Sequence, residues 1–178
     1  MQQNAQQPQA QSQPFAELLQ RTERSAVHFE ARDAYFDNAK FAAWRDGARV
    51  DWDDRGSWWT PFYEQIADAV ARGVVIRRLR VVSVPLSEYI AWEHYYTRAN
   101  VEAGEQVRWL PRRHASTLLL PGNDYWLFDD QLARIHHFAG DGSLVEDEFN
   151  TDTGVLKFLD DAFEALWDHG IPHEEFRV

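Results

Sequence analysis

Glu93 is the residue whose type and position most suggest chemistry. On a helix over residues 87–101 it falls in the same arc as Leu86, Tyr89, Ile90, Tyr96 and Val101. A carboxylate on an apolar face is costly unless it is paired or protonated. Three arginines are close enough in sequence to pair with it: Arg78 and Arg80 on the preceding strand, or Arg108 on the next. Such a cluster is either a structural ion pair or the polar floor of a site. Around it stand two polar turns, Arg112-Arg113 and Asn123-Asp124, and further on Asp130. Guanidiniums suit an anion or a phosphorylated group, and carboxylates suit acid–base work. The expected ligand-binding set is therefore Arg78, Arg80, Glu93, Arg108, Arg112, Arg113, Asn123, Asp124 and Asp130.

Several chemistries are argued against by what is missing. With no cysteine in 178 residues there is no disulfide framework, Cys-based zinc site or thiol nucleophile. Of the seven histidines, His136 and His137 are adjacent on a strand and point to opposite faces, while His169 and His173 flank a helix end. No HExxH, no GxSxG elbow and no phosphate-binding glycine loop occurs. The acidic stretch 46–57 lacks calcium-loop spacing and reads as a loop. No metal, no cofactor and no catalytic residue is assigned. Net charge is −11, which speaks against direct nucleic-acid binding by the chain as a whole. The charge is unevenly spread: residues 74–114 carry 7 arginines and 4 glutamates, whereas 124–178 carry 3 basic and 14 acidic residues. That asymmetry fits either internal pairing or a locally positive surface for a partner or a small anionic ligand. Lack of cysteine and of a signal peptide fits the cytoplasm, and no apolar run is long enough for a transmembrane helix.

Positioning these residues requires an α/β domain. The Gln-rich residues 1–14 read as a disordered tail, and 15–178 as one globular domain. Phe15–Arg24 suits a short helix, Ala26–Tyr35 an extended segment with His28 and Glu30 on one face, and Tyr35–Trp44 a second helix. Thr60-Pro61 opens a helix that Gly73 ends, with Thr60 as its cap. Residues 74–85 form a strand apolar on both faces, hence central, except where Arg78 and Arg80 interrupt it. With the helix 87–101 and the strand 106–110 it makes a parallel βαβ unit. Residues 115–120 look extended. Residues 124–138 form a hairpin turning near Asp129-Asp130-Gln131, and a short strand follows near 143–148. The last helix, over 154–169, is capped by Thr151, Asp152 or Thr153. The N-terminal part is expected to wrap an edge or face of this mixed sheet. Trp58-Trp59 cannot both face one core, so one is expected to be exposed.

The runs HFEARDAY (28–35), RGVVIRRLRVVSVPLSEYIAWEH (72–94), AGEQVRWLPRR (103–113), LPGNDYWLFDD (120–130), HHFAGDG (136–142) and AFEALWDHGIPHEEF (162–176) resemble an actinobacterial family, domain of unknown function six-eight-seven-nine. Members stand near helix-turn-helix regulators, which implies a regulatory or signalling accessory role. More distantly, the order strand, helix, strand, hairpin, helix is similar to a phospholipase D-like half-domain. Its motif is His-x-Lys, four residues, Asp. Setting the motif's Asp on Asp130 puts Asn123 at the histidine and Tyr125 at the lysine, so the resemblance implies a non-catalytic version. The function expected is a non-enzymatic regulatory or sensor module binding a protein partner or small anionic ligand. The alternative is a hydrolase or transferase acting on phosphorylated substrates, with Arg80, Arg108, Glu93, Asn123 and Asp130 converging.

Overall fold

The computed structural model describes residues 14–35 and 38–177. The expected tail, but for Pro14, lies outside these residues, as do positions 36 and 37 of the expected second helix. The elements in chain order are α1 Phe15–Arg21, β1 Ser25–Glu30, α2 Ala39–Arg45, α3 Arg55–Trp58, α4 Pro61–Ala71, β2 Val75–Val82, α5 Glu88–Glu102 and β3 Gln106–Pro111. A 3₁₀ turn over Arg112–Ala115 follows, then β4 Asp124–Phe128, β5 Leu132–Phe138, β6 Leu144–Asn150, α6 Thr153–Trp167 and the short β7 Ile171–Pro172.

The strands form a seven-stranded mixed sheet in the order β6-β5-β4-β1-β2-β3-β7. β1, β2 and β3 run parallel, and the remaining neighbours pair antiparallel. The βαβ unit and the hairpin are as the sequence predicts. The N-terminal segment is not. Rather than wrapping the sheet, β1 is its middle strand, inserted between β4 and β2. Val27 and Phe29 on one face and Ala26 and His28 on the other are all buried, which is what a strand covered on both sides requires.

α6 covers one face, where Val27, Phe29, Leu79, Val81, Leu127 and Phe163 share a core. On the other face α1 and α4 pack around Ile66, Ile76 and Trp126, and α2 and α5 around Phe41, Ile90, Trp92 and Trp109. Local signals set the boundaries. Asn38 caps α2, Ser87 caps α5, and Asp152 caps α6 through the N–H groups of Gly154 and Val155. Thr60 makes no such bond, and Pro61 alone marks the start of α4. Gly73 ends α4 at φ +95°, a backbone angle that favours glycine. Within the acidic loop, residues 55–58 turn once as α3, and the extended run expected over 115–120 is instead the end of the 3₁₀ turn, a turn and a bend. Trp58 is buried, while Trp59 lies under the Arg55 guanidinium at 3.6 Å.

Candidate ligand-binding cleft

Register decides which side chains meet. Pairing His28 with Arg78 and Glu30 with Arg80 puts all four on one face of the sheet. Trp126 lies opposite His28 on β4, and Asp124 opposite His136 on β5, extending the same face. Above it runs the Glu93–Thr97–Asn100 edge of α5. The result is a buried polar cluster inside an apolar layer.

Glu30 is its hub. It accepts from Arg80 Nε at 2.6 Å and Arg78 NH1 at 3.2 Å. Arg78 also gives Nε and NH2 to Glu105 at 2.7 and 3.2 Å, and Asn100 donates to the same carboxylate at 3.1 Å. Arg80 NH1 donates to Thr97 Oγ1 at 3.2 Å and pairs with Glu93. Burial pushes the Glu30 carboxyl up, but Arg80 and Arg78 outweigh it and hold it well below the usual carboxylate range. Burial alone would lower the two guanidiniums; Glu105 and Glu30 for Arg78, and Glu30 and Glu93 for Arg80, raise them instead.

Beside the cluster is an open cleft of about 280 Å³, lined by His28, Glu30, Tyr35, Tyr89, Glu93, Asp124, His136, Phe138 and Leu144. It sits where β1 ends and α5 begins, beyond the carboxyl end of a central parallel strand, the usual place for ligands in open α/β sheets. Asp124 is 3% exposed. It accepts from the Ala31 N–H at 2.9 Å and from the Tyr35 hydroxyl. Burial raises its pKa above the ordinary aspartate value; the Tyr35 bond opposes this and Glu30 adds to it. His28 is stacked on Trp126 at 4.2 Å, and burial holds its pKa well below 6.5, so the ring is neutral. On the cleft's outer side His136 pairs with Asp147 at 2.6 Å, and Arg134 with the same carboxylate at 2.5 Å.

Of the nine residues the sequence singles out, Arg78, Arg80, Glu93 and Asp124 come together here. The others do not. Arg108 points to the opposite face, donating to the Trp167 carbonyl at 2.8 Å and lying 4.5 Å from its ring. Arg112 ties β1 to β2 through the carbonyls of Ala31 and Val81, at 2.6 and 3.1 Å. Arg113 and Asn123 are exposed. Asp130 sits in the β4–β5 turn, at the other end of β4 from Asp124, 3.7 Å from Arg24. Glu30, His28, Tyr35, Tyr89, His136 and Phe138 were missed. The alternation of His28 and Glu30 on β1 is visible in the sequence, but the pairing of β1 with β2, some fifty residues on, is not. Among the described residues no group of three or more His, Asp or Glu is placed to hold a metal ion.

Residues 13–178 match the family described as Domain of unknown function (DUF6879). The chain belongs to that family. No curated protein sequence matches it. Among solved structures, this DUF6879 fold is similar to a phospholipase D family member, Nuc from Salmonella typhimurium. The TM-score is 0.51 at 9% identity, over 92% of this chain and 88% of that one. Another match, at TM-score 0.47 and 13% identity, is TrmBL2, an archaeal chromatin protein; it covers 87% of this chain and 47% of that one. At such identity the likeness is one of fold. On the alignment that sets the phospholipase D aspartate on Asp130, the lysine position is Tyr125. That side chain is buried on the α6 face, its hydroxyl donating to the Leu159 carbonyl at 2.8 Å, away from the cleft.

Proposed function

We propose that the domain is a non-catalytic regulatory or sensor module, accessory to a transcriptional or signalling system in the cytoplasm, that binds a partner or small ligand in the Glu30–Glu93–Asp124 cleft. One observation carries the non-catalytic part. The fold is like that of a phospholipase D family member, yet the positions aligned with the motif's histidine and lysine hold an exposed Asn123 and an inward-locked Tyr125. Neither offers a nucleophile or a phosphate-binding ammonium. The enzymatic alternative needed Glu93, Asn123 and Asp130 to converge, and Asp130 lies a strand's length away from the cleft. The regulatory role rests on the resemblance to the DUF6879 family and its genomic neighbours. Of the expected anion-binding arginines, Arg78, Arg80, Arg108 and Arg112 already serve internal acceptors, which favours a ligand chosen by the cleft over one chosen by the arginine count.

The test is direct. The purified chain is assayed for turnover of a generic phosphodiester and screened by NMR against small ligands and peptides of varied charge. Absence of turnover together with ligand shifts at Trp126 and His136 is the expected result. Phosphodiester turnover that Glu93→Gln or Asp124→Asn abolishes overturns the reading.

A further inference from the structure

The cleft has a charge excess that its own residues do not cancel. Two guanidiniums, Arg78 and Arg80, face the three carboxylates Glu30, Glu93 and Glu105; Asp124 adds a fourth carboxyl group and Arg32, over the Phe138 ring, a third guanidinium, which leaves the acidic groups one ahead. Both guanidiniums are engaged below the cleft floor, and both are buried. At the rim Arg134 and His136 share Asp147. An anion entering here would lie beside Glu30, Glu93 and Asp124 with Arg78 and Arg80 already committed, so like charge opposes it.

The walls point the same way. Tyr35, Tyr89 and Phe138 present aromatic rings to the cleft. Such faces attract cations, and the fold already uses two of them so: the Arg32 guanidinium lies 4.3 Å from the Phe138 ring and 5.6 Å from that of Tyr35. A second, independent feature is His28. It lines the cleft, is 8% exposed, and its Nδ1 makes no hydrogen bond, standing 3.8 Å from Glu30 Oε1. A ring nitrogen left without a partner beside the cleft is a polar group that a bound ligand can satisfy. At about 280 Å³ the space is just below the roughly 300–1,000 Å³ of drug-sized pockets. It suits a short chain ending in a charged head.

We propose that the cleft receives a primary ammonium or guanidinium on a short carbon chain, supplied either by a lysine or arginine side chain of a partner protein or by a free small amine. The inference rests on the cleft being the binding site and goes further by fixing the sign and shape of its ligand. Carboxylates at Glu93 and Asp124 face the head group, and the rings of Tyr35, Tyr89 and Phe138 flank its chain.

The experiment titrates the full chain at neutral pH with six probes, using calorimetry and NMR. Agmatine and putrescine stand for free amines. Nα-acetyl-arginine methylamide and Nα-acetyl-lysine methylamide stand for side chains of a partner. Inorganic phosphate and Nα-acetyl-glutamate methylamide are the anionic controls. The cations are expected to bind, to shift the Trp126 indole and His136 resonances, and to weaken with salt. Asp124→Asn and Tyr89→Leu are each expected to weaken binding by about tenfold, the first by removing a carboxylate charge and the second an aromatic face, with folding checked by circular dichroism. Wild-type shifts carry the result where a variant does not fold. Tighter binding of the blocked amino acids than of the free amines assigns a partner side chain, and the reverse order a small molecule. Binding of phosphate or the glutamate derivative at these resonances overturns the cation while leaving the binding module intact. Cation shifts confined to other residues overturn the inference. Silence of the cleft toward all six probes and toward the wider screen overturns both readings.

Discussion

At Glu30 one carboxylate serves two guanidiniums, and this sets the order of side-chain importance in the cluster. The periodicity of α5 draws attention to Glu93, but Glu93 is the outer member: Arg80 keeps Glu30 at 2.6 Å when Glu93 is neutralised. Glu30→Gln removes the shared acceptor of both arginines and leaves two buried positive charges with reduced compensation. Removing one member of a buried ion pair costs about 3–5 kcal/mol. The Glu30 side chain is 15% exposed, which favours the lower end. For a chain of this length that is a fall in melting temperature of roughly 6–12 °C. Glu93→Gln leaves Arg80 its bond to Glu30 and is expected to cost less, about 1–2 kcal/mol. Thermal melts of the two variants side by side check the order. Equal losses would show that Glu93 and Glu30 hold Arg80 in place to the same degree, and a larger loss for Glu93→Gln would reverse the order.

Among the elements, β1 decides how the site is assembled, and a turn about a hundred residues away anchors its start. Asp129 and Asp130 both have positive φ, 50° and 57°, in the tight turn joining β4 to β5. From there the Asp129 carboxylate accepts the backbone N–H groups of Glu23, Arg24 and Ser25 at 2.8, 2.8 and 2.9 Å. Burial slightly opposes ionisation, but these N–H groups hold the Asp129 carboxyl below its ordinary value. Asp129→Ala loses all three bonds and sets a Cβ without polar compensation in the left-handed region. It is expected to destabilise by about 2 kcal/mol. A lowered carboxylate pKa gives stability that is present above about pH 4 and is lost as pH falls through the folded value. The gap between variant and wild type should therefore close in acid, and chemical denaturation at pH 7 and pH 3 measures it. The same long-range tie explains what was legible in the chain. Helices α4, α5 and α6, the βαβ unit and the β4–β5 hairpin follow from local periodicity, caps and turns, and each is found. The central place of β1 rests on pairings with β2 and β4 that no local pattern encodes. With β1 misplaced, Glu30 and His28 could not be assigned to the site, and Arg108 and Asp130 were.

For the whole molecule, the histidines outside the rim are its acid-sensitive points. His94 stands among Trp109, His173 and Phe176, and burial, then His173, lowers its pKa to about 4. Burial likewise lowers His173 and His28. A histidine lowered in the fold takes its proton more readily when unfolded, so stability falls as pH drops below about 6.5. For His94 the loss continues until pH reaches about 4. Two groups act in the other direction. Burial raises Asp124 and Asp160, so their protonation favours the folded state as pH falls. Their protonation offsets part of the histidine loss as pH falls. The lowered carboxyls of Asp129, Asp147 and Glu148 contribute only once pH falls below the ordinary carboxylate range. The melting temperature is expected to fall steadily from about pH 6.5 to about pH 5, and His94→Phe, which keeps an aromatic ring among Trp109 and Phe176, is expected to flatten the fall. A variant curve parallel to wild type between pH 7 and 5 would place the acid sensitivity elsewhere, with His28 beneath the cleft as the next residue to replace.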